Sequence, residues 1–208
     1  MPDRKVPDTK FPIKHVITNM TGTPFDNHHV KKLINKYLNL SNSGRDYHSP
    51  ARGVDPFARE SFTTCLAGFL TNDLNETMPT DYHLEANEFA RLVYAEGCGF
   101  DICLFDPPYT LRQLKDLYMD DNNKMDDTIP LWQTQNMWGD CKNYLGKCMN
   151  VGSYVISFGY HSHGFGKRRG FEKVEMLICE QSGSNDRYDV LVTVEKKVQM
   201  TLFQTLKS

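Results

Sequence analysis

Four consecutive residues, Asp106, Pro107, Pro108 and Tyr109, follow the apolar run FDICLF at positions 100–105. Their types suit one difficult reaction, substitution at the exocyclic amine of an aromatic base. The lone pair of such an amine is delocalised into the ring, so its nitrogen is a poor nucleophile. A carboxylate from Asp106 and the backbone carbonyl of Pro107 can accept its two N–H bonds and favour a pyramidal nitrogen. The prolines fix φ and hold that carbonyl in one direction. Tyr109 offers a flat face on which an extruded base can stack. Asp, Pro and Tyr are also ordinary residues of a turn that ends a strand. Taken alone, the tetrad fits both descriptions.

A second candidate is the glycine-rich stretch 159–170, GYHSHGFGKRRG, which carries Lys167, Arg168 and Arg169. Backbone amides and cations of this kind can meet phosphates. Basic triplets are also common on protein surfaces that bind nothing. The six cysteines, at 65, 98, 103, 141, 148 and 179, form no C-x-x-C pair and read as reduced, mostly packed thiols. A zinc site from Cys98, Cys103, His161 and His163 matches no common spacing, and no metal is implied. His28 and His29 fall on a helix, where a solvated face is the default.

The elements that must position these residues follow from length and periodicity. A chain of 208 residues, 39% hydrophobic and 12% aromatic, suits one soluble globular domain. It has no run of about 18 apolar residues that would span a membrane, and its amino terminus lacks a secretory core. The net charge of −2 does not advertise a nucleic-acid partner, but charge is unevenly placed. Acids cluster at Asp120, Asp121, Asp126 and Asp127, opposite in sign to the basic triplet.

Residues 1–10 read as a flexible leader and 11–208 as the single domain. Positions 24–40 have helical spacing through Val30, Leu33, Ile34, Tyr37 and Leu38, with Asp26 or Asn27 as the cap. Then come a short strand over 53–57, a helical turn over 61–66, a strand over 67–72, a helix over 84–96 and the strand over 100–105. A helix over 111–118 and another over 141–149 flank the polar stretch 119–138, with Trp132 and Trp138. Residues 110–150 read as a lid, a target-recognition insertion or an ordered connection. Three strands close the chain, over 154–160, 171–179 and 189–197, the last two forming an antiparallel hairpin at one sheet edge. Alternation of this kind predicts an α/β fold with a mostly parallel sheet.

The ordered motifs resemble the amino-methyltransferases that modify adenine N6 or cytosine N4, and in particular the small phage-type adenine-specific DNA methyltransferases. The tetrad at 106–109 looks like their catalytic motif, and Asp55, Pro56 and Phe57 like their cofactor motif. Residues 72–75 and 81–83 lie where that family places cofactor carboxylates, and 159–171 is similar to a segment of the phage-type members. The resemblance runs from about Pro24 to Lys197. It implies a Rossmann-like methyltransferase fold with S-adenosyl-L-methionine as cofactor and DNA, or RNA, as partner.

By this resemblance Asp55 faces the positive end of the cofactor, Asp73 accepts the ribose hydroxyls and Asp81 accepts from the adenine amine. Turn-forming or helix-capping roles fit the same three residues. One departure is that Ala58, Arg59, Glu60 and Ser61 contain no glycine, where the family's cofactor loop is glycine-rich. The missing secretory core predicts a cytoplasmic protein, and the little room for a separate target-recognition domain predicts a short or relaxed recognition sequence, or recognition through a homodimer. Within the same chemistry stand RNA adenine and cytosine-N4 methylation and methylation of a protein glutamine. A catalytically silent binding module is the reading from another class.

Overall fold

A computed structural model describes residues 10–18, 24–43, 50–97, 99–108, 138–181 and 189–199. Tyr109, Cys98, Trp132, the expected helix over 111–118 and nearly all of the leader and the 119–138 stretch lie outside these residues. Strands are β1 Ile13–Thr18, β2 Gly53–Asp55, β3 Phe69–Thr71, β4 Phe100–Phe105, β5 Met149–Gly159, β6 Phe171–Gln181 and β7 Val190–Lys197. Among the described residues the helices are α1 His28–Asn42, α2 Ala86–Ala95 and α3 Gly139–Cys148, with 3-10 turns at Pro24–Asp26, Phe62–Cys65 and Lys167–Arg169.

One seven-stranded sheet runs in the order β1-β6-β7-β5-β4-β2-β3. β7 is antiparallel to both its neighbours, and the other pairings are parallel. The final hairpin is therefore present but does not form the sheet edge. β1 pairs in parallel with β6, from Ile13 opposite Met176 to Thr18 opposite Gln181, and takes the edge position instead.

Helices cover both faces, as a largely parallel sheet requires. On one face α1 lays Val30, Leu33, Ile34 and Tyr37 against Ile102, Leu104, Ile156, Leu177 and Val192. These helix positions repeat at three- and four-residue spacing, so they share one side of the helix. Asn27 is the cap, its Oδ1 accepting from the amides of His29 at 2.9 Å and Val30 at 3.4 Å. On the other face α2 and α3 pack Phe89, Ala90, Val93, Cys141 and Leu145 over Val54, Cys103, Phe105 and Val155. Cys103, Cys141, Cys148 and Cys179 are buried, and Cys65 is exposed.

Two boundaries move for physical reasons. The helix expected to start near Leu84 starts at Ala86, because Glu85 caps it by accepting from the amides of Asn87 and Glu88. β5 starts at Met149 rather than Tyr154, and its first residues reach β4 through an irregular register between Phe100 and Ile102.

A candidate active site at the parallel strand tips

The chain passes from β2 to β3 on one side and then returns to place β4 on the other side of β2. The carboxyl ends of β2 and β4 therefore flank a reversal of strand order, the position where open α/β sheets bind ligands. Asp55 is the last residue of β2, Asp73 stands two residues past β3, and Asp106 directly follows β4.

Asp55 and Asp73 are buried, 0% and 1% exposed. Oδ1 of Asp55 accepts from the Phe57 amide at 3.1 Å, and Oδ2 accepts from the Thr63 hydroxyl at 2.9 Å and the Ser61 hydroxyl at 3.5 Å. Its carboxyl is pushed up to about 7, chiefly by burial. The two principal hydrogen bonds oppose that shift, while the nearby charges of Asp106 and Asp73 add to it. Three carboxylates thus share one electrostatic neighbourhood at adjacent strand tips. Such a neighbourhood favours a cationic ligand, because bringing in positive charge offsets their mutual repulsion.

The other expected residues divide by role. Pro56 gives its carbonyl to the Asn72 side chain at 3.1 Å. Phe57 is buried, its ring edge-on to Phe105 at 5.3 Å and to Trp138 at 4.8 Å, so its side chain belongs to the core. Asp73 Oδ1 accepts from the Asn75 amide at 2.9 Å. Asp81 does not cap α2. It is exposed, and its Oδ2 accepts from both the amide and the hydroxyl of Thr71 at 2.8 Å. Asp106 and Pro108 are partly exposed and Pro107 is buried. Arg59 takes a left-handed conformation, φ 47, in the loop where a glycine was expected. That geometry costs a non-glycine residue about 1 kcal/mol.

Asn72 was not singled out in the sequence as a site residue, yet it ties the loops together. Its Nδ2 donates to the carbonyls of Pro56 and Leu84, and its Oδ1 accepts from the Leu84 amide. Its backbone also pairs with Asp55 and Ala58. The signal was an asparagine closing a strand, a residue type whose side chain commonly mimics backbone pairing.

The glycine-rich stretch after β5 is anchored within the fold. The amides of Phe165 and Gly166 are taken by the buried carboxylate of Glu195 on β7, at 2.6 and 3.0 Å. Arg169 is held within the fold, donating to Asn143 Oδ1 and to the carbonyls of Phe165 and Gly139. Lys167 and Arg168 are exposed. Because β6 is parallel to β5, the triplet that precedes it lies toward the amino ends of the parallel strands, away from Asp106. His161 and His163, just past the tip of β5, lie nearer.

No family model matches the sequence, and no curated protein matches it. Solved structures do. TrmN from Thermus thermophilus aligns over 80% of this chain and 48% of its own, at 16% identity and a TM-score of 0.49. SMU.776, solved with S-adenosylhomocysteine, aligns over 79% and 48%, at 12% identity and 0.50. NodS, an N-methyltransferase from Bradyrhizobium japonicum WM9 in complex with the same molecule, aligns over 84% and 90%, at 13% identity and 0.48. The fold is the Rossmann-like fold of S-adenosylmethionine-dependent methyltransferases. The chain spans about half the length of TrmN and of SMU.776.

On this fold the described tips offer two buried carboxyl groups, Asp55 and Asp73, and a partly exposed acceptor at Asp106. An aromatic series, Trp138, Phe57, Phe105 and Phe165, packs edge to face and includes Phe105, the residue before Asp106.

Proposed function

We propose that this chain is an S-adenosyl-L-methionine-dependent methyltransferase acting on the exocyclic N6 amine of adenine in DNA. The observation that carries the reading is the convergence of Asp55, Asp73 and Asp106 at adjacent strand tips across the reversal of strand order. A buried anionic site there suits a cofactor with a permanent positive charge, and the partly exposed Asp106 beside it suits an amine. The three-carboxylate neighbourhood and the buried Asp73 fit such a group, with Asp73 toward its ribose and Asp81, through its second oxygen, toward its adenine.

When bound, the cofactor supplies a methyl group activated on sulfur. Asp106 accepts one N–H of the target amine and the Pro107 carbonyl accepts the other. The nitrogen lone pair thereby turns toward the methyl carbon. The cofactor would supply the methyl carbon and its sulfur would keep the electron pair of the broken C–S bond, while the amine nitrogen would supply the pair for the new N–C bond. The proton lost from the methylated amine passes to Asp106 or to water. Stacking on the extruded base is assigned to Tyr109, which lies outside the described residues. Positioning and exclusion of water supply most of the rate, because charge is lost as the methyl group departs.

Transfer of labelled methyl to duplex DNA, RNA and protein tests the reading, with products identified at base resolution. Label in DNA N6-methyladenine is expected. Asp106→Ala is expected to lower the rate on the order of 100-fold or more while cofactor still binds. Label only in RNA, in cytosine or in protein would replace the substrate. Absence of label everywhere, with DNA binding kept, would favour a silent binding module.

A further inference from the structure

We propose that His161 and His163, with Lys142 and Lys173 around them, form a backbone-phosphate subsite beside Asp106 that takes up a proton when nucleic acid binds. This rests on the reading that the substrate is a nucleic acid, and it moves the phosphate contact away from the basic triplet.

Topology sets the position. Phe105 of β4 is the register partner of Ser157 of β5, so Asp106 and the segment leaving β5 emerge at the same end of the sheet. His161 and His163 stand two and four residues past Gly159, the last residue of β5. The chain then runs back along the sheet, since Phe171 opens β6 opposite Lys197 while Gly159 lies opposite Leu191. Six residues of strand separate those partners, about 20 Å at the usual rise. Lys167 and Arg168 therefore lie well down the sheet from the reacting group.

The surroundings of the histidine pair are cationic on two elements, α3 and β6. Both residues are exposed, the His161 ring partly covered by its neighbours, and the ring centroids lie 4.8 Å apart with planes inclined by 35°. Lys142 of α3 sits 5.2 Å over the Phe105 ring and donates to the Gly164 carbonyl at 3.1 Å. Lys173 of β6 donates to the Ser162 hydroxyl between the two histidines at 3.1 Å. From β7, Glu195 lies beneath the same loop, where it supports Lys142 and Lys173 but is itself held by the Phe165 and Gly166 amides. Lys167, Arg168 and Arg169 follow on the same loop. Burial, His163 and Lys142 together hold the His161 imidazole below its usual range.

A phosphate diester placed against this group reverses the sign of the local field. It favours imidazolium and ammonium, so binding and protonation assist each other. Histidine is the side chain for which that exchange falls near neutral pH.

The test is fluorescence anisotropy of a labelled mixed-sequence DNA duplex, titrated with the full chain at constant ionic strength at about pH 6 and about pH 8. Wild type is expected to bind at least about threefold tighter at the lower pH. His161→Gln/His163→Gln, at exposed positions, is expected to lose that ratio while keeping its circular dichroism spectrum. Lys167→Gln/Arg168→Gln is expected to keep it. An unchanged ratio in the histidine variant overturns the proposal, as does a wild type without pH dependence. Methyl transfer by the same preparations separates this from the parent reading. Proton-linked binding lost in the histidine variant, without transfer by wild type, leaves the subsite and removes the enzyme. Transfer to DNA with a histidine variant indistinguishable from wild type does the reverse.

Discussion

Asp55 binds its proton more tightly in the folded chain than in the unfolded one, since burial and its anionic neighbours lift its carboxyl from 3.8 to about 7. The folded state therefore holds more protons, and this group's contribution falls as pH rises from about 4 to about 7. Asp55→Asn keeps an acceptor for the Phe57 amide and removes the charge. It is expected to raise stability by about 1–3 kcal/mol at pH 8 and to flatten that slope, read by urea denaturation across pH. It should also weaken cofactor binding.

Glu175 shows the opposite sign. Although buried, it accepts from Lys14 at 2.7 Å, Lys36 at 2.5 Å and Tyr37 at 2.8 Å. Burial works to raise its carboxyl, but the bonds from Lys14, Lys36 and Tyr37 prevail and hold it at about 2. Its stabilisation is present above the unfolded value of 4.5 and is lost as pH falls toward about 2. Glu175→Gln is expected to cost about 1–3 kcal/mol at pH 7, discounted because both lysines are half exposed. The deficit should shrink in acid, which thermal melts at pH 3 and pH 7 would show.

At the scale of elements, the loop between β5 and β6 turns through three glycines of positive φ, Gly164, Gly166 and Gly170, and Gly164 is the one that meets the anchoring carboxylate. Gly164 has φ +53, and a Cβ there would stand 2.1 Å from Glu195 Oε2. Gly164→Ala is expected to be both strained and clashing, lowering stability by about 2 kcal/mol or more in denaturant unfolding. Pulling the Phe165 and Gly166 amides off Glu195 should loosen the histidine segment as well. Which elements were legible in the sequence follows from where their apolar residues go. α1 and β4 bury what their periodicity displayed, from Val30 to Tyr37 and from Phe100 to Phe105. β1 was missed because Ile13 and Ile17 are 40% and 69% exposed, so backbone pairing to β6, not an apolar stripe, defines it. Glu85 displaced the expected helix start because a side chain one residue from the helix outcompeted the more distant Asp81.

At the scale of the molecule, the parallel sheet was legible in the alternation of strands and helices, but its order was not. Placing β1 outside β6 requires contacts about 160 residues apart, which local pattern does not carry. The candidate site was readable as three aspartates at strand ends; that they act on one another through a shared buried neighbourhood was not. Nor was the turning back of the chain after His163, which carries Lys167 and Arg168 away from Asp106. The account depends on those strand tips holding a cationic cofactor. Isothermal titration of S-adenosylmethionine and S-adenosylhomocysteine into wild type and Asp73→Ala is the direct measurement. Saturable binding of both by wild type is expected, weakened at least about tenfold by the substitution, consistent with loss of charge-assisted hydrogen bonds. A wild type that takes up neither molecule, or an Asp73→Ala protein that binds as tightly as wild type, would contradict it.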